Sequence, residues 1–230
     1  MEKMIDNILL CTFITVASYL MGVMVFQKFK KAWLNPLYTC TVFIICVLTL
    51  FHLNFTGYTS GTDLFSLLMG TATVSLAVPL YKQFALIKKN FFIIVCAVMT
   101  GTLTGVASIV LLTKVLHMNQ EMMISMIPKS VTAPIALSIS QSLGGIPSLT
   151  VSFVFVSAIF SLAIGPGLLK YTRIKSKVAK GLALGTSAQA IGAKRAFDWG
   201  EVEGAMGSIA MITAALCMSL IAPFLIYFYL

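Results

Sequence analysis

The sequence has 230 residues, of which 59% are hydrophobic and only 10% are charged. Soluble globular domains carry about a quarter charged residues, so this composition excludes a water-soluble globule and indicates a protein embedded in lipid. The net charge of +9 comes from Lys and Arg residues in short clusters between apolar runs, and no continuous basic stripe predicts nucleic-acid binding.

Six apolar runs are long enough to cross a bilayer, which takes about 20 helical residues. They are Ile8–Phe26, Leu37–Leu53, Leu64–Leu80, Phe91–Leu112, Leu149–Leu169 and Ile209–Leu230. The first run lacks the basic flank and small-residue cleavage site of a signal peptide, so we predict that it is retained as a span. The sequence therefore predicts an all-α, polytopic membrane protein whose residues 1–230 form one integral membrane domain.

Two further stretches, Met122–Leu143 and Val178–Phe197, are long enough to span but are rich in Gly, Pro, Ser and Thr. Basic residues mark cytoplasmic loops, so Lys28–Lys31 and Lys82–Lys89 place the loops after the first and third spans inside. A complete crossing by Met122–Leu143 would then put the strongest basic cluster, Lys170–Lys180, outside. We therefore predict that both stretches are broken, re-entrant helical segments that enter from opposite faces.

A weak internal repeat fits this plan. Ser161–Tyr171 resembles Ser219–Tyr229, with prolines 57 positions apart, and the polar centres Ser130–Ala136 and Thr186–Gly192 are 56 positions apart. Inverted repeats of this kind are common in secondary transporters, although chance similarity between apolar helices is the alternative. The predicted layout is an N-terminal region of four spans followed by two hairpin-plus-span units, namely 8–112, 122–170 and 178–230.

The first broken stretch carries the stronger candidate site. Its helix-breaking and hydroxyl residues are Pro128, Pro134, Ser130 and Thr132. Unsatisfied backbone groups in hydrocarbon cost several kcal/mol, so a broken helix there requires a polar cavity. Lys129 is the cation of this stretch, and an intramembrane charge by default faces a polar pathway and a partner. An anionic substrate would be such a partner, and the alternatives are snorkelling to the interface or pairing with Glu121.

The second broken stretch offers uncharged polar groups. Thr186, Ser187 and Gln189 supply donors and acceptors, and Gly185 and Gly192 are candidates for a helix break or for close helix packing. Free N–H groups at a broken helix favour a carboxylate ligand. Lys194 and Arg195, followed by acidic residues, are interpreted as a solvated interfacial cluster.

Enzyme chemistry finds no support in the sequence. The only histidines, His52 and His117, are both expected near the outer face, where no Ser-His-Asp set can be assembled around them, and no Gly-rich phosphate loop is present. The five cysteines lie inside apolar runs without metal-ligand spacing. We predict no enzyme activity, no metal site and no cofactor.

The motifs IPKSVTAPIALSISQSLGGIPSLT and GLALGTSAQAIGAKRA, together with EVEGAMGSIAMI near the end, resemble the LrgB/CidB family of bacterial membrane proteins. That family also includes the carboxy-terminal part of the plastid glycolate/glycerate transporter. Position by position, the family-typical residues are Pro128, Lys129, Ser130, Thr132, Pro134 and Ile135, then Gly185, Thr186, Ala190, Ile191 and Gly192. The resemblance implies a bacterial cytoplasmic membrane protein that works with a small LrgA/CidA-like membrane protein, in a homo- or hetero-oligomer.

The chain departs from the family pattern at three positions. Ala188 and Gln189 stand where the family commonly has Ser-His, and Ala193 stands where it has Thr. Gln189 keeps hydrogen bonding but cannot titrate near neutral pH as His does, which leaves ion coupling open.

The resemblance supports two functional hypotheses. In the first, the chain is a transporter subunit for small monocarboxylates such as pyruvate, bound by Lys129 and the hydroxyls of Ser130, Thr132, Thr186 and Ser187, with Gln189 orienting the ligand. In the alternative, it is a holin- or antiholin-like regulator of murein hydrolase activity and autolysis.

Overall fold

The computed structural model describes residues 2–29, 34, 36–52, 55–62, 65, 67–68, 71, 74–75, 77–82 and 84–229. The chain packs as two compact units, Met1–Ala72 and Thr73–Leu230, which are treated separately below. Within the described residues all regular structure is helical, which confirms the predicted all-α class. Seven of the 17 residues of the predicted third span, Leu64–Leu80, lie outside the described residues, and the single-domain layout stays a prediction.

In the first unit the described helices are α1 (Glu2–Phe29), α2 (Pro36–Leu50) and α3 (Phe55–Gly61). A Cβ added to Gly22 would lie 2.6 Å from the Thr39 hydroxyl, so α1 and α2 approach closely where the side chain is smallest. The hydroxyls of Thr15 and Tyr58 lie 2.7 Å apart and join α1 to α3.

The second unit holds the remaining helices. They are α4 (Ala77–Lys82), α5 (Phe84–Val115), α6 (Gln120–Met126), α7 (Ala133–Ser142), α8 (Pro147–Tyr171), α9 (Lys177–Phe197) and α10 (Glu201–Tyr229), with a 3-10 turn at Ile127–Ser130 between α6 and α7.

Four helices of the described chain are long and apolar enough to cross a membrane: Ile8–Phe29, Phe84–Val115, Pro147–Tyr171 and Glu201–Phe224. A shorter apolar helix covers Thr39–Leu50. Large apolar side chains on the spans are exposed, with Phe92 at 79% and Phe224 at 65%, as expected where lipid rather than protein covers the surface. The chain is thus a helical membrane protein.

The segment predicted as Met122–Leu143 doubles back on itself. The backbone N–H of Ile146, at the start of α8, donates to the Ser125 hydroxyl of α6 over 2.7 Å. In addition, the Thr150 hydroxyl of α8 donates to the Ser140 hydroxyl of α7 over 2.6 Å. A straight helix of 21 residues would separate its ends by about 30 Å. The contact between positions 125 and 146 therefore means that α7 brings the chain back to the end of α6.

The segment predicted as Val178–Phe197 also doubles back. A Cβ on Gly185, in the first half of α9, would collide with the backbone of Gly207 of α10, whereas Gly207 itself abuts Ala193 of the second half of α9. Within α9, a Cβ on Gly192 would collide with the carbonyl of Leu184. Residues eight apart in a straight helix are about 12 Å apart along the axis, so the two halves of α9 lie side by side.

The two doubled-back segments pack against opposite ends of α10. Ile124 and Ile139 of the first segment share a buried cluster with Met218 and Ala222. The second segment meets the start of α10, where Gly204 lies against the Phe197 ring. A second buried cluster joins Leu182 of α9 to α5 and α10. Helix α10 is consequently the common support for both segments.

Candidate functional site

The first segment breaks at an extended pair of residues. Val131 (φ −116°, ψ 169°) and Thr132 (φ −62°, ψ 148°) separate the 3-10 turn from α7. The two predicted prolines flank this pair, with Pro128 in the turn at ψ 17° and Pro134 in the first turn of α7. A proline lacks the N–H that would continue the preceding helix and fits a helix start. The prolines therefore end one helix and begin the next, with the break between them.

The second segment breaks at Gln189, whose backbone is at φ 55°, ψ −132°. This is the conformation of the first central residue of a type II′ turn, a position normally held by glycine. Holding a larger residue there costs on the order of 1–3 kcal/mol. The predicted break residues Gly185 and Gly192 are helical and instead allow the backbone contacts described above. The break thus falls within the predicted stretch but on its amide residue.

The two breaks are joined by a direct hydrogen bond. The side-chain amide of Gln189 donates to the backbone carbonyl of Lys129 over 2.9 Å, and Gln189 is only 5% exposed. The Lys129 carbonyl lies just before the extended pair Val131 and Thr132, so its oxygen needs a hydrogen-bond donor from elsewhere. Gln189 provides one across 60 positions of sequence.

A cavity of about 520 Å³ lies beside this junction. Its walls come from the 3-10 turn, the first half of α9, α5 and α8. The lining residues are Lys129, Ser130, Ala179, Leu182, Ala183, Thr186, Ser187, Ile93, Ala97, Gly101, Thr104, Gly105, Ser108, Ser157 and Ser161. Four predicted site residues, Lys129, Ser130, Thr186 and Ser187, therefore line one cavity.

Two predicted site residues do not line it. The side-chain amide of Gln189 donates to the Lys129 carbonyl. Gln189 therefore positions the Lys129 backbone and does not line the cavity. The Thr132 hydroxyl is buried and has no hydrogen-bond partner among the described residues. These placements differ from the predicted role of Gln189 in orienting a ligand.

Lys129 is the only charged residue among the described residues that line the cavity. It is half-buried and forms no salt bridge with a described residue; the pairing with Glu121 considered above is not formed. A cation that faces a polar cavity without an internal counter-charge attracts an anion. The exposed pair Arg195–Asp198, 3.1 Å apart, fits the predicted solvated charge cluster.

The cavity hydroxyls fall into two chemical groups. Those of Thr104, Ser108 and Thr186 donate to carbonyls of their own helices at 2.6 to 2.8 Å, so their protons are already committed. The hydroxyls with no bond to a described residue are those of Ser130, Ser157, Ser161 and Ser187. A carboxylate accepts hydrogen bonds and donates none. The four serines are therefore its natural partners beside Lys129.

The sequence interpretation missed the contributions of α5 and α8. Gly101, Thr104, Gly105 and Ser108 recur at the spacing of one helix face, and Ser157 and Ser161 are one turn apart. Both sets lie inside runs that were treated as plain apolar spans. A search of each span for a stripe of small and hydroxyl residues would have found them.

Comparisons with known proteins agree on one family. The family model described as "LrgB-like family" matches residues 15–228. The chain is 36% identical over 216 residues to YwbG of Bacillus subtilis (strain 168), covering 94% of this chain and 96% of YwbG. It is 34% identical to "Antiholin-like protein LrgB" of the same organism, with 91% of each chain covered, and 35% identical to the protein of that name in Bacillus mycoides (strain KBAB4), with 91% and 92% covered. No solved structure matches the chain.

Proposed function

This chain belongs to the LrgB-like family, and on that premise we propose that it is a membrane transporter subunit for small monocarboxylates such as pyruvate. It works in the bacterial cytoplasmic membrane with a small LrgA-like protein. The observation that carries the proposal is the cavity in which Lys129 faces four uncommitted serine hydroxyls. A holin-like lesion formed by oligomerisation would not need such an interior.

A single carboxylate matches the charge of this cavity. Lys129 supplies the positive charge, and Ser130 and Ser187 lie in the lining beside it as hydroxyl donors. Ser157 and Ser161 of α8 offer further donors to the polar end of a ligand such as a keto or hydroxyl group. Because no second cation lines the described part of the cavity, a dicarboxylate would leave one charge without a partner.

The two doubled-back segments suit an alternating-access transporter. In the proposed topology they are re-entrant hairpins of two inverted repeats, each followed by a full span, α8 or α10. Their packing against opposite ends of α10 supports entry from opposite faces. The tips meet at the bond between Gln189 and the Lys129 carbonyl, and relative motion of the hairpins would expose the cavity to each side in turn.

Uptake into proteoliposomes tests the proposal. Radiolabelled pyruvate is added to vesicles containing the chain alone or with a small LrgA-like protein, under imposed proton and sodium gradients. We expect saturable uptake in at least one condition, and excess unlabelled pyruvate should compete. Uptake no faster than in empty vesicles in every condition would refute transport.

The second candidate function is antiholin-like regulation of murein hydrolase activity. It is favoured by the name carried by relatives at 34–35% identity. The two functions can be distinguished by expressing variants in a strain that lacks the gene and measuring both uptake and autolysis. If a variant that abolishes uptake still restores normal autolysis, regulation does not act through transport; if both are lost together, altered carboxylate flux accounts for the lysis phenotype.

A further inference from the structure

A second cavity, of about 740 Å³, lies at the ends of two spans and is distinct from the Lys129 cavity. It is formed where α8 ends and α10 begins, with the first turns of α9 beside them. Its polar and aromatic lining residues include Lys170, Arg173, Lys175, Lys180, Trp199 and Glu203. Since it spans the end of Pro147–Tyr171 and the start of Glu201–Phe224, it sits at a membrane–water boundary.

We propose that this cavity binds the phosphate group of an anionic ligand, with the phosphodiester of an anionic lipid as the source that fits its position. Four basic side chains line it against two acidic ones, and one of those acids, Asp198, is paired with Arg195 outside the lining set. The cavity therefore keeps an excess of positive charge, which attracts an anion into a concave site.

Glu203 is the buried acid of the cavity wall. It is only 5% exposed, yet its Oε2 has no hydrogen-bond partner among the described residues. A buried carboxylate without a partner is costly. Glu203 forms no salt bridge with a described residue, so the surplus of basic side chains in the lining offsets its charge and still leaves the cavity positive.

The uncharged lining favours a lipid over a free ion. Leu169, Ile174 and Pro166 form an apolar wall next to the basic residues, and Trp199 is half-buried beside them. Tryptophan and basic residues together are typical of the membrane interface, and basic pockets between helix ends on the cytoplasmic side bind anionic head groups. The positive-inside distribution places this end of the chain in the cytoplasm.

Trp199 makes the test direct, because the chain has only two tryptophans and Trp33→Phe leaves it as the single reporter. The full chain is reconstituted with phosphatidylcholine that contains a small fraction of brominated phosphatidylglycerol or, separately, brominated phosphatidylcholine. We expect brominated phosphatidylglycerol to quench Trp199 fluorescence at a concentration at least tenfold lower than brominated phosphatidylcholine does. Equal quenching by the two lipids would overturn the proposal without any mutant.

The dependence of lipid binding on the basic side chains is tested by comparing two variants. The triple variant carries Lys170→Gln, Arg173→Gln and Lys175→Gln, and the control variant carries Lys88→Gln and Lys89→Gln. The second variant removes exposed lysines that do not line the cavity. Each basic charge removed should weaken binding by up to about fivefold, so we expect a loss of at least tenfold in the triple variant and none in the control. Equal affinity in the two variants would contradict the assignment.

A third arm separates the two sources of phosphate. Inorganic phosphate at millimolar concentration is added to the vesicles that contain brominated phosphatidylglycerol. Sodium chloride at equal ionic strength is added to a parallel sample as the reference. Loss of quenching with phosphate alone supports a phosphate site that does not need the lipid tail. Unchanged quenching supports the lipid. Quenching that chloride abolishes equally would show that only nonspecific surface charge is involved, which would overturn the site.

Discussion

The central residue pair of this protein is Gln189 and Lys129, joined through one backbone carbonyl. Gln189 holds a backbone conformation suited to glycine, and its amide crosses to the other broken segment over 2.9 Å. Such strain persists only where surrounding contacts over-determine it. The bond to Lys129 is the contact that the structure offers for this role.

Two substitutions at Gln189 separate strain from bonding. Gln189→Leu keeps the strained backbone and leaves the partly buried Lys129 carbonyl unpaired, which should cost about 1–3 kcal/mol. Gln189→Gly loses the same bond but relieves strain of about the same size. We therefore expect the apparent Tm in detergent to fall for the leucine variant and to stay near wild type for the glycine variant. The reverse order would contradict the strain argument.

Neighbouring hydroxyls provide a matched test of the cavity. The Ser187 proton is uncommitted, whereas Thr186 donates to the Leu182 carbonyl over 2.8 Å. A hydrogen bond to a charged group contributes about 1.5–3 kcal/mol, so Ser187→Ala should raise the KM for uptake by roughly tenfold or more. Thr186→Val should change it by no more than about threefold. Equal effects of the two substitutions would show that the uncommitted Ser187 hydroxyl does not determine ligand binding.

At the scale of the helices, close packing of α9 on α10 depends on small residues. Gly181, Gly185 and Gly207 let the two backbones meet, and a Cβ on Gly185 has no space because it would collide with the backbone of Gly207. Backbone cannot shift as a flexible side chain can. This contact fixes the first half of α9, which carries Thr186 and Ser187 into the cavity wall.

The glycine contact is tested by two alanine substitutions of different expected sign. Gly185→Ala should destabilise the protein by several kcal/mol through overpacking. Gly167→Ala, in a helix and with nothing within 4 Å of the new Cβ, should be neutral or stabilising by up to about 1 kcal/mol. Denaturant titration in detergent distinguishes them. A Gly185→Ala protein as stable as the Gly167→Ala protein would refute the packing.

The sequence was sufficient to predict the helical class, the broken segments and four residues of the cavity, because Pro, Gly and charge have strong local meaning. The site of the second break was not predicted, since Gln189 adopts its conformation through a contact 60 positions away. Helix α5 is interrupted at Asn90 (φ −116°, ψ 18°), directly before the predicted start of the fourth span at Phe91. Helix α10 begins earlier than its apolar run, at Glu201, because a helix can extend into the polar interface, where glutamate suits a helix start.

At the scale of the whole molecule, the account requires that each broken segment enter and leave on the same face. In the first segment, Ser125 and Ile146 are already adjacent. Cysteines introduced at Asn119 and Gly144 in a chain without its five native cysteines should therefore both react with a membrane-impermeant maleimide from outside intact cells. Thr172→Cys should react only after the membrane is opened. Labelling of Gly144→Cys from the inside alone would mean that the segment crosses.

The most direct test of the central claim is pyruvate uptake by Lys129 variants in proteoliposomes. Lys129→Gln removes the single cation of the described cavity lining, and we expect kcat/KM for uptake to fall by at least about tenfold, the loss of one charge-assisted hydrogen bond. Lys129→Arg should retain part of the activity, and Lys88→Gln, an exposed lysine outside the cavity, should match wild type. Unchanged uptake by Lys129→Gln at normal protein levels would contradict the account.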